Sequence, residues 1–189
     1  MELLKKRIQE VGVVVSDQVL KLDAILNHQV DPVLVTEMGK EFARLFVETK
    51  PDKVMTVESS GIAMAFATAY ELGVPMVFAR RKKTPMMDQD TYSERVPSFT
   101  KGIVTDIVVS THYLKKGERV LLIDDFIANG DAARGLIRII EKAEAELVGV
   151  GIAVEKAFQI GGSSLRERGI RVESLARISS LANGRIEFV

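Results

Sequence analysis

Apolar residues keep two rhythms along this chain, and the switch from one to the other marks its structural units. From Pro32 to Thr49, Leu34, Met38, Phe42 and Leu45 recur at helical spacing until Lys50-Pro51-Asp52 stops the run. Val54-Met55-Thr56-Val57 is short and continuous, as a buried strand is. It leads through Glu58-Ser59-Ser60-Gly61 into a helical run from Ile62 to Leu72, closed by Gly73. The same order returns later. Lys116-Gly117 signals a turn, Val120-Leu121-Leu122-Ile123 is a strand apolar on both faces, and Asp124-Asp125 ends it. Ala128 to Asp131 form a turn, and from Ala132 a helix carries Leu136, Ile139, Ile140 and Ala143 on one side. Such alternation predicts an α/β chain with a mostly parallel central sheet.

The remaining stretches fit around these two units. Leu4, Ile8 and Val11 share a helical face that ends at Gly12, and Val13-Val14-Val15 begins an extended segment. Residues 16 to 30 have no clear period and stop at Asp31-Pro32, where proline suits the first position of a helix. Pro75 to Ala79 reads as a strand followed by the basic run Arg80-Arg81-Lys82-Lys83. Thr84 to Pro97, with two prolines, two methionines and mixed charge, reads as a long mobile loop of about residues 81–97. Ser98-Phe99-Thr100 and Ile107 to Ser110 predict a hairpin beside it. Leu147 to Val154 is a strand interrupted by Gly149 and Gly151, where a neighbour can approach closely, and it ends in Glu155-Lys156. Arg171 to Ile178 and Ile186-Glu187-Phe188 are further strands.

At 189 residues the chain accommodates one domain with a small appendage. Its 26 Lys and Arg balance 26 Asp and Glu, so the overall charge points to neither nucleic acid nor an anionic membrane. Cysteine is absent, which removes disulfides and thiol chemistry and fits a reducing compartment. A charged amphipathic N-terminus and the lack of a long apolar run lead to the expectation of a soluble cytoplasmic protein.

The chemistry concentrates at the carboxyl end of the Val120 strand, the edge where open α/β sheets bind ligands. Asp124 and Asp125 can accept hydrogen bonds from a vicinal diol. The small residues Ala128, Asn129, Gly130, Asp131 and Ala132 open a helix, where backbone N–H groups can hold a phosphate, and Gly130 permits positive φ. Diol and phosphate together describe a ribose 5-phosphate. A core strand with a capped helix is the bland alternative. A Walker B strand is another, but no G-x-x-x-x-G-K-[ST] loop accompanies it.

The order of apolar strand, acidic pair, two apolar residues, small residue, Asn and Gly resembles the phosphoribosyl diphosphate (PRPP) signature of type I phosphoribosyltransferases. Over all 189 residues the chain is similar to the xanthine branch of that family. The resemblance implies a type I core, a hood built from about residues 13–31 with the C-terminal segment, and a flexible loop over the diphosphate. It implies xanthine and PRPP as substrates in purine salvage, with Asp124 and Asp125 catalytic and residues 128–132 on the 5-phosphate. It places Leu20, Asn27 and Lys156 on xanthine, and Ser60 and Gly61 on the diphosphate. It also implies Mg2+ carried with PRPP rather than bound directly, and a homodimer. Read without it, Leu20 is ordinary packing, Asn27 a turn residue, Ser60 a helix cap and Lys156 a snorkelling strand-end lysine. In hypoxanthine-guanine enzymes an acid stands at the position of Ala128, and here a methyl group replaces it. Hypoxanthine or guanine transfer, and a non-catalytic PRPP-sensing regulator, are the alternatives.

Overall fold

A six-stranded sheet carries the molecule, in the order β10-β9-β8-β7-β3-β4, with every neighbouring pair parallel except β10 against β9. The computed structural model describes residues 1–81, 90–98 and 103–189. In chain order the elements are α1 (Glu2–Val11), β1 (Val13–Ser16), β2 (Val19–Lys21), a π-helical turn (Asp23–Asn27), α2 (Pro32–Phe46), β3 (Lys53–Val57), α3 (Ile62–Leu72) and β4 (Met76–Ala79). They continue with β5 (Thr91–Ser98), β6 (Ile103–Ser110), β7 (Arg119–Ile127), α4 (Asp131–Lys142), β8 (Glu146–Lys156), α5 (Ile160–Glu167), β9 (Val172–Ser180) and β10 (Glu187–Phe188). Among the described residues no helix is long and apolar enough to cross a membrane.

Strand β7 is buried on both sides, as its unbroken apolar run predicts. Leu121 and Ile123 face a core shared with α1, α2 and α3, whereas Val120 and Leu122 face a second core with α4 and α5. Strand β8 has side chains missing where α2 crosses it. A Cβ on Gly149 would stand 2.4 Å from Phe46, and one on Gly151 would stand 2.8 Å from Phe42, so the two glycines let the helix lie directly against the sheet. Helix α2 is fixed at its start as well. The Asp31 side chain accepts from the Val33 and Leu34 N–H groups, and Pro32 occupies the first turn.

Two departures from the sequence reading concern the loop and the hood. Residues 91–98 are strand rather than loop, pairing in register with β6 from Thr91 against Ser110 to Ser98 against Ile103. The alternation of Tyr92, Glu94 and Val96 toward the protein carries this strand. Val96 is buried against Gly135, and Glu94 accepts from Arg138 and Lys142 on α4, so a carboxylate sits where a period-two pattern would show an apolar residue. The rest of the expected loop, residues 82–89, with Lys82 and Lys83 of the basic run, lies outside the described residues, as do Phe99 and Thr100. The aperiodic stretch after Gly12 resolves into the antiparallel β1–β2 hairpin and the π-helical turn, which is too short to show a period.

Candidate active site

Strand β3 pairs with β7 only as far as Leu122, while β8 runs beside β7 to Ile127. The end of β7 therefore lines a notch at the carboxyl edge of the sheet, and Asp124 and Asp125 stand in it. They differ sharply in environment. Asp124 is buried, 8% exposed, and its Oδ1 accepts from the Asp125 N–H at 3.0 Å. Burial, and next the neighbouring Asp125 charge, raise its pKa well above the ordinary carboxylate range, with Arg81 pulling the other way. Asp125 is half-buried and accepts from Asn27 Nδ2 at 2.7 Å.

Gly61 forms the floor under Asp124. A Cβ there would stand 2.8 Å from Asp124 Oδ1 and 2.3 Å from Thr56 Oγ1, a buried hydroxyl without a hydrogen-bond partner among the described residues. Gly61 is also the residue at which α3 begins, and no side chain caps that helix, so Ser60 does not act as its cap. The Glu58–Ser59 peptide is cis. Glu58 reaches across to the end of β4, where its Oε1 accepts from the Arg81 N–H at 2.7 Å and its carbonyl from Arg81 Nε at 3.0 Å.

On the other side of the acidic pair, Arg81, Phe126 and residues 128–132 line an open cavity of about 190 Å³. Gly130 adopts φ 84°, in the left-handed region that glycine enters without penalty, and this turns the chain from β7 into α4. Asp131 would place negative charge beside a phosphate, but its Oδ1 accepts from Arg134 Nη2 at 2.8 Å. The carboxylate is paired along the helix, which leaves the turn's N–H groups as the feature available to an anion.

Lys156 ends β8. Its Nζ donates to the Gln18 carbonyl at 2.6 Å and lies 5.9 Å from the Phe126 ring centre, and burial lowers its pKa. Gln159 Nε2 donates to Gln18 Oε1 at 2.6 Å, so the β1–β2 hairpin rests on the end of β8. Asn27 and Gln18 thus bring the hood onto Asp125 and Lys156. Leu20 is placed differently, buried in the apolar cluster of the α1–α2 face.

Several residues at this site escape sequence reasoning. Arg81 had a signal, the basic run at the carboxyl end of a strand, but its partner Glu58 had none. Gln18 and Gln159 are polar residues of irregular segments, and only the fold brings them together.

Comparison with known proteins gives a consistent picture. Residues 22–161 match the phosphoribosyl transferase domain. The xanthine phosphoribosyltransferase of Moorella thermoacetica is 57% identical over 189 residues, covering 100% of this chain and 96% of that protein. The xanthine phosphoribosyltransferase of Acinetobacter baylyi is 51% identical, covering 100% and 99%. Among solved structures, an adenine phosphoribosyltransferase of Giardia lamblia has a TM-score of 0.76 at 21% identity over 92% of this chain and 97% of its own. The Saccharomyces cerevisiae adenine enzyme has a TM-score of 0.73 at 22% identity over 93% and 99%. At those identities the structural likeness speaks for the fold.

Proposed function

The chain belongs to the phosphoribosyltransferase family, and from that membership we propose that it transfers the phosphoribosyl group of PRPP to xanthine, giving xanthosine 5′-monophosphate and diphosphate in purine salvage. The observation that carries this reading is the acidic pair at the notch of the sheet, with the glycine turn of residues 128–132 on one side and Lys156 with Asn27 on the other. A ribosyl group fits between them, its 5-phosphate toward the turn and its anomeric carbon toward the base side.

In the reaction the bond from the anomeric carbon to diphosphate breaks, the bond to the purine nitrogen forms, and the carbon is positively charged between the two. Asp125 accepts from the ring hydroxyls. Asp124 lies beneath, where burial disfavours its charge, so an arriving positive centre stabilises the carboxylate and is stabilised by it. Arg81, held by Glu58, is a cation that a departing diphosphate can meet, with Ser60 and Gly61 as further diphosphate contacts in this reading. Lys156 can donate to the 6-oxo group of the purine and Asn27 can meet its 2-oxo edge.

Magnesium belongs to this reading as a partner of PRPP. A cation held mainly by diphosphate oxygens and water would neutralise the leaving group there. A homodimer is also part of the reading, and Phe66 and Tyr70, exposed on α3, support a protein-covered face there.

The decisive assay is PRPP consumption with xanthine, hypoxanthine, guanine and adenine in turn. Xanthine is expected to be consumed with the highest kcat/KM. Equal use of hypoxanthine or guanine would move the assignment to the hypoxanthine-guanine class, and no turnover with any base would point to a PRPP-sensing regulator.

A further inference from the structure

Glu155 is 1% exposed, yet the reaction leaves it without a role. Its Oε1 and Oε2 accept from Arg166 Nη1 and Nη2, each at 2.7 Å. Oε2 also accepts from Ser174 Oγ at 2.6 Å, and Arg177 Nε lies 3.3 Å away. Burial works against the charge, but Arg166, Ser174 and Arg177 outweigh it and hold the carboxyl below its usual range. A bidentate pair of this kind fixes geometry as well as charge. What it fixes is α5, because Arg166 lies on that helix, and a Cβ on Gly162 would stand 2.3 Å from Glu155 Oε1.

One residue earlier, the same helix touches the glycine turn. The Gly161 N–H donates to the Ala128 carbonyl at 2.9 Å. A Cβ on Gly161 would stand 2.4 Å from that carbonyl, 2.8 Å from the Gly130 nitrogen and 2.8 Å from Ile127 Cγ1, while a Cβ on Gly130 would stand 3.0 Å from the Gly161 Cα. Two backbones are therefore pressed together with no side chain between them, and neither of these atoms of the turn is the end of a flexible side chain that could step aside. A second tie joins the helices, since Arg134 Nη1 reaches Ser164 Oγ, which in turn donates to the Gly161 carbonyl.

We propose that Gly161, seated by the Glu155–Arg166 pair, is a positioning residue for the phosphate turn, setting the direction of the N–H groups of residues 128–132. The inference rests on the reading of that turn as the seat of the 5-phosphate. A core ion pair that merely stabilised β8 against β9 would affect unfolding and both substrates alike. A positioning role affects the phosphoribosyl end, because Gly161 is packed on the turn at Ala128 and Gly130.

The test is calorimetric titration of ribose 5-phosphate into the wild-type chain, Gly161→Ala and Glu155→Gln, with thermal unfolding and steady-state KM values for PRPP and xanthine alongside. Alanine is a better helix former than glycine, so a loss in Gly161→Ala reports the contact with the turn. Gly161→Ala is expected to bind ribose 5-phosphate on the order of 10-fold more weakly and to raise the KM for PRPP while that for xanthine stays within about two-fold. Glu155→Gln, which keeps the shape of the side chain, is expected to shift the same two quantities in the same direction by a smaller factor, and it decides the matter if Gly161→Ala does not fold. Unchanged ribose 5-phosphate affinity in the folded variants, or equal losses for PRPP and xanthine, overturns the inference and leaves the proposed function standing. A wild-type chain that does not bind ribose 5-phosphate removes the phosphate assignment and the inference with it.

Discussion

Asn27 Nδ2 donates to Asp125 Oδ2 at 2.7 Å, joining the hood to the acidic pair across 98 residues of sequence. The amide proposed for the purine is thus held by the carboxylate proposed for the ribose. A hydrogen bond to a charged acceptor contributes about 1.5–3 kcal/mol when shielded and less in water. On that proposal a ribose hydroxyl arriving at Asp125 would compete for the acceptor and free the amide to turn toward a base.

Asn27→Ala is expected to lower kcat/KM for xanthine about 10-fold or more, because a purine 2-oxo group loses its donor. The value for hypoxanthine, which lacks that group, changes much less. Steady-state kinetics with both bases checks this, and a preserved xanthine-to-hypoxanthine ratio would make Asn27 a hood latch and nothing more.

Lys156→Ala should weaken both bases together, since xanthine and hypoxanthine share the 6-oxo group. It also removes the donor to the Gln18 carbonyl. The loss is expected to be on the order of 10-fold for each base. A loss confined to one base would count against the assignment.

Asp124→Asn and Asp125→Asn are each expected to reduce turnover on the order of 10²-fold, by removing charge aimed at a positive centre. They should differ in stability. The folded pKa of Asp124 is raised, so its contribution to stability is complete below the ordinary carboxylate value and is lost as pH rises through the raised value. Asp124→Asn is therefore expected to gain in melting temperature over wild type at about pH 8 and to lose that gain toward about pH 4. Differential scanning calorimetry across that range reads the sign directly, and a gain that grows on acidification refutes it.

Gly61→Ala adds one methyl group where φ is −69°, so the backbone is comfortable and the effect is steric. The methyl would stand 2.8 Å from Asp124 Oδ1 and 2.3 Å from Thr56 Oγ1. Turnover is expected to fall on the order of 10²-fold through displacement of Asp124. Near-native turnover in a folded variant would show that the floor yields.

Much of this arrangement is legible in the sequence. Continuous apolar runs located β3 and β7, helical spacing located α2 and α4, and the positions of Asp124 and Lys156 at strand ends placed both on the ligand edge. Strand β5 was not legible, because Glu94 occupies an inward position and Pro97 argues against a strand; the ion pairs with Arg138 and Lys142 that justify Glu94 come from α4. Helix α5 has Gly161 and Gly162 in its first turn, and glycine is a poor helix former. Their reason is the closeness of the turn and of Glu155, a fact of packing that no local pattern carries. The unequal burial of two adjacent aspartates was hidden for the same reason, since Gly61 and Thr56 cover one of them and not the other.

Gly149 and Gly151 bring Phe46 and Phe42 of α2 against β8, and α2 is the helix that begins directly after the hood, at Asp31-Pro32. Side chains at those two positions would lift the helix from the sheet, and the segment it carries would rise with it. Asn27 reaches Asp125 with the helix at its present depth. The reach of the hood is therefore gauged from beneath, by two gaps on the far side of the helix, and the chain could retune that reach without altering any residue that touches a substrate.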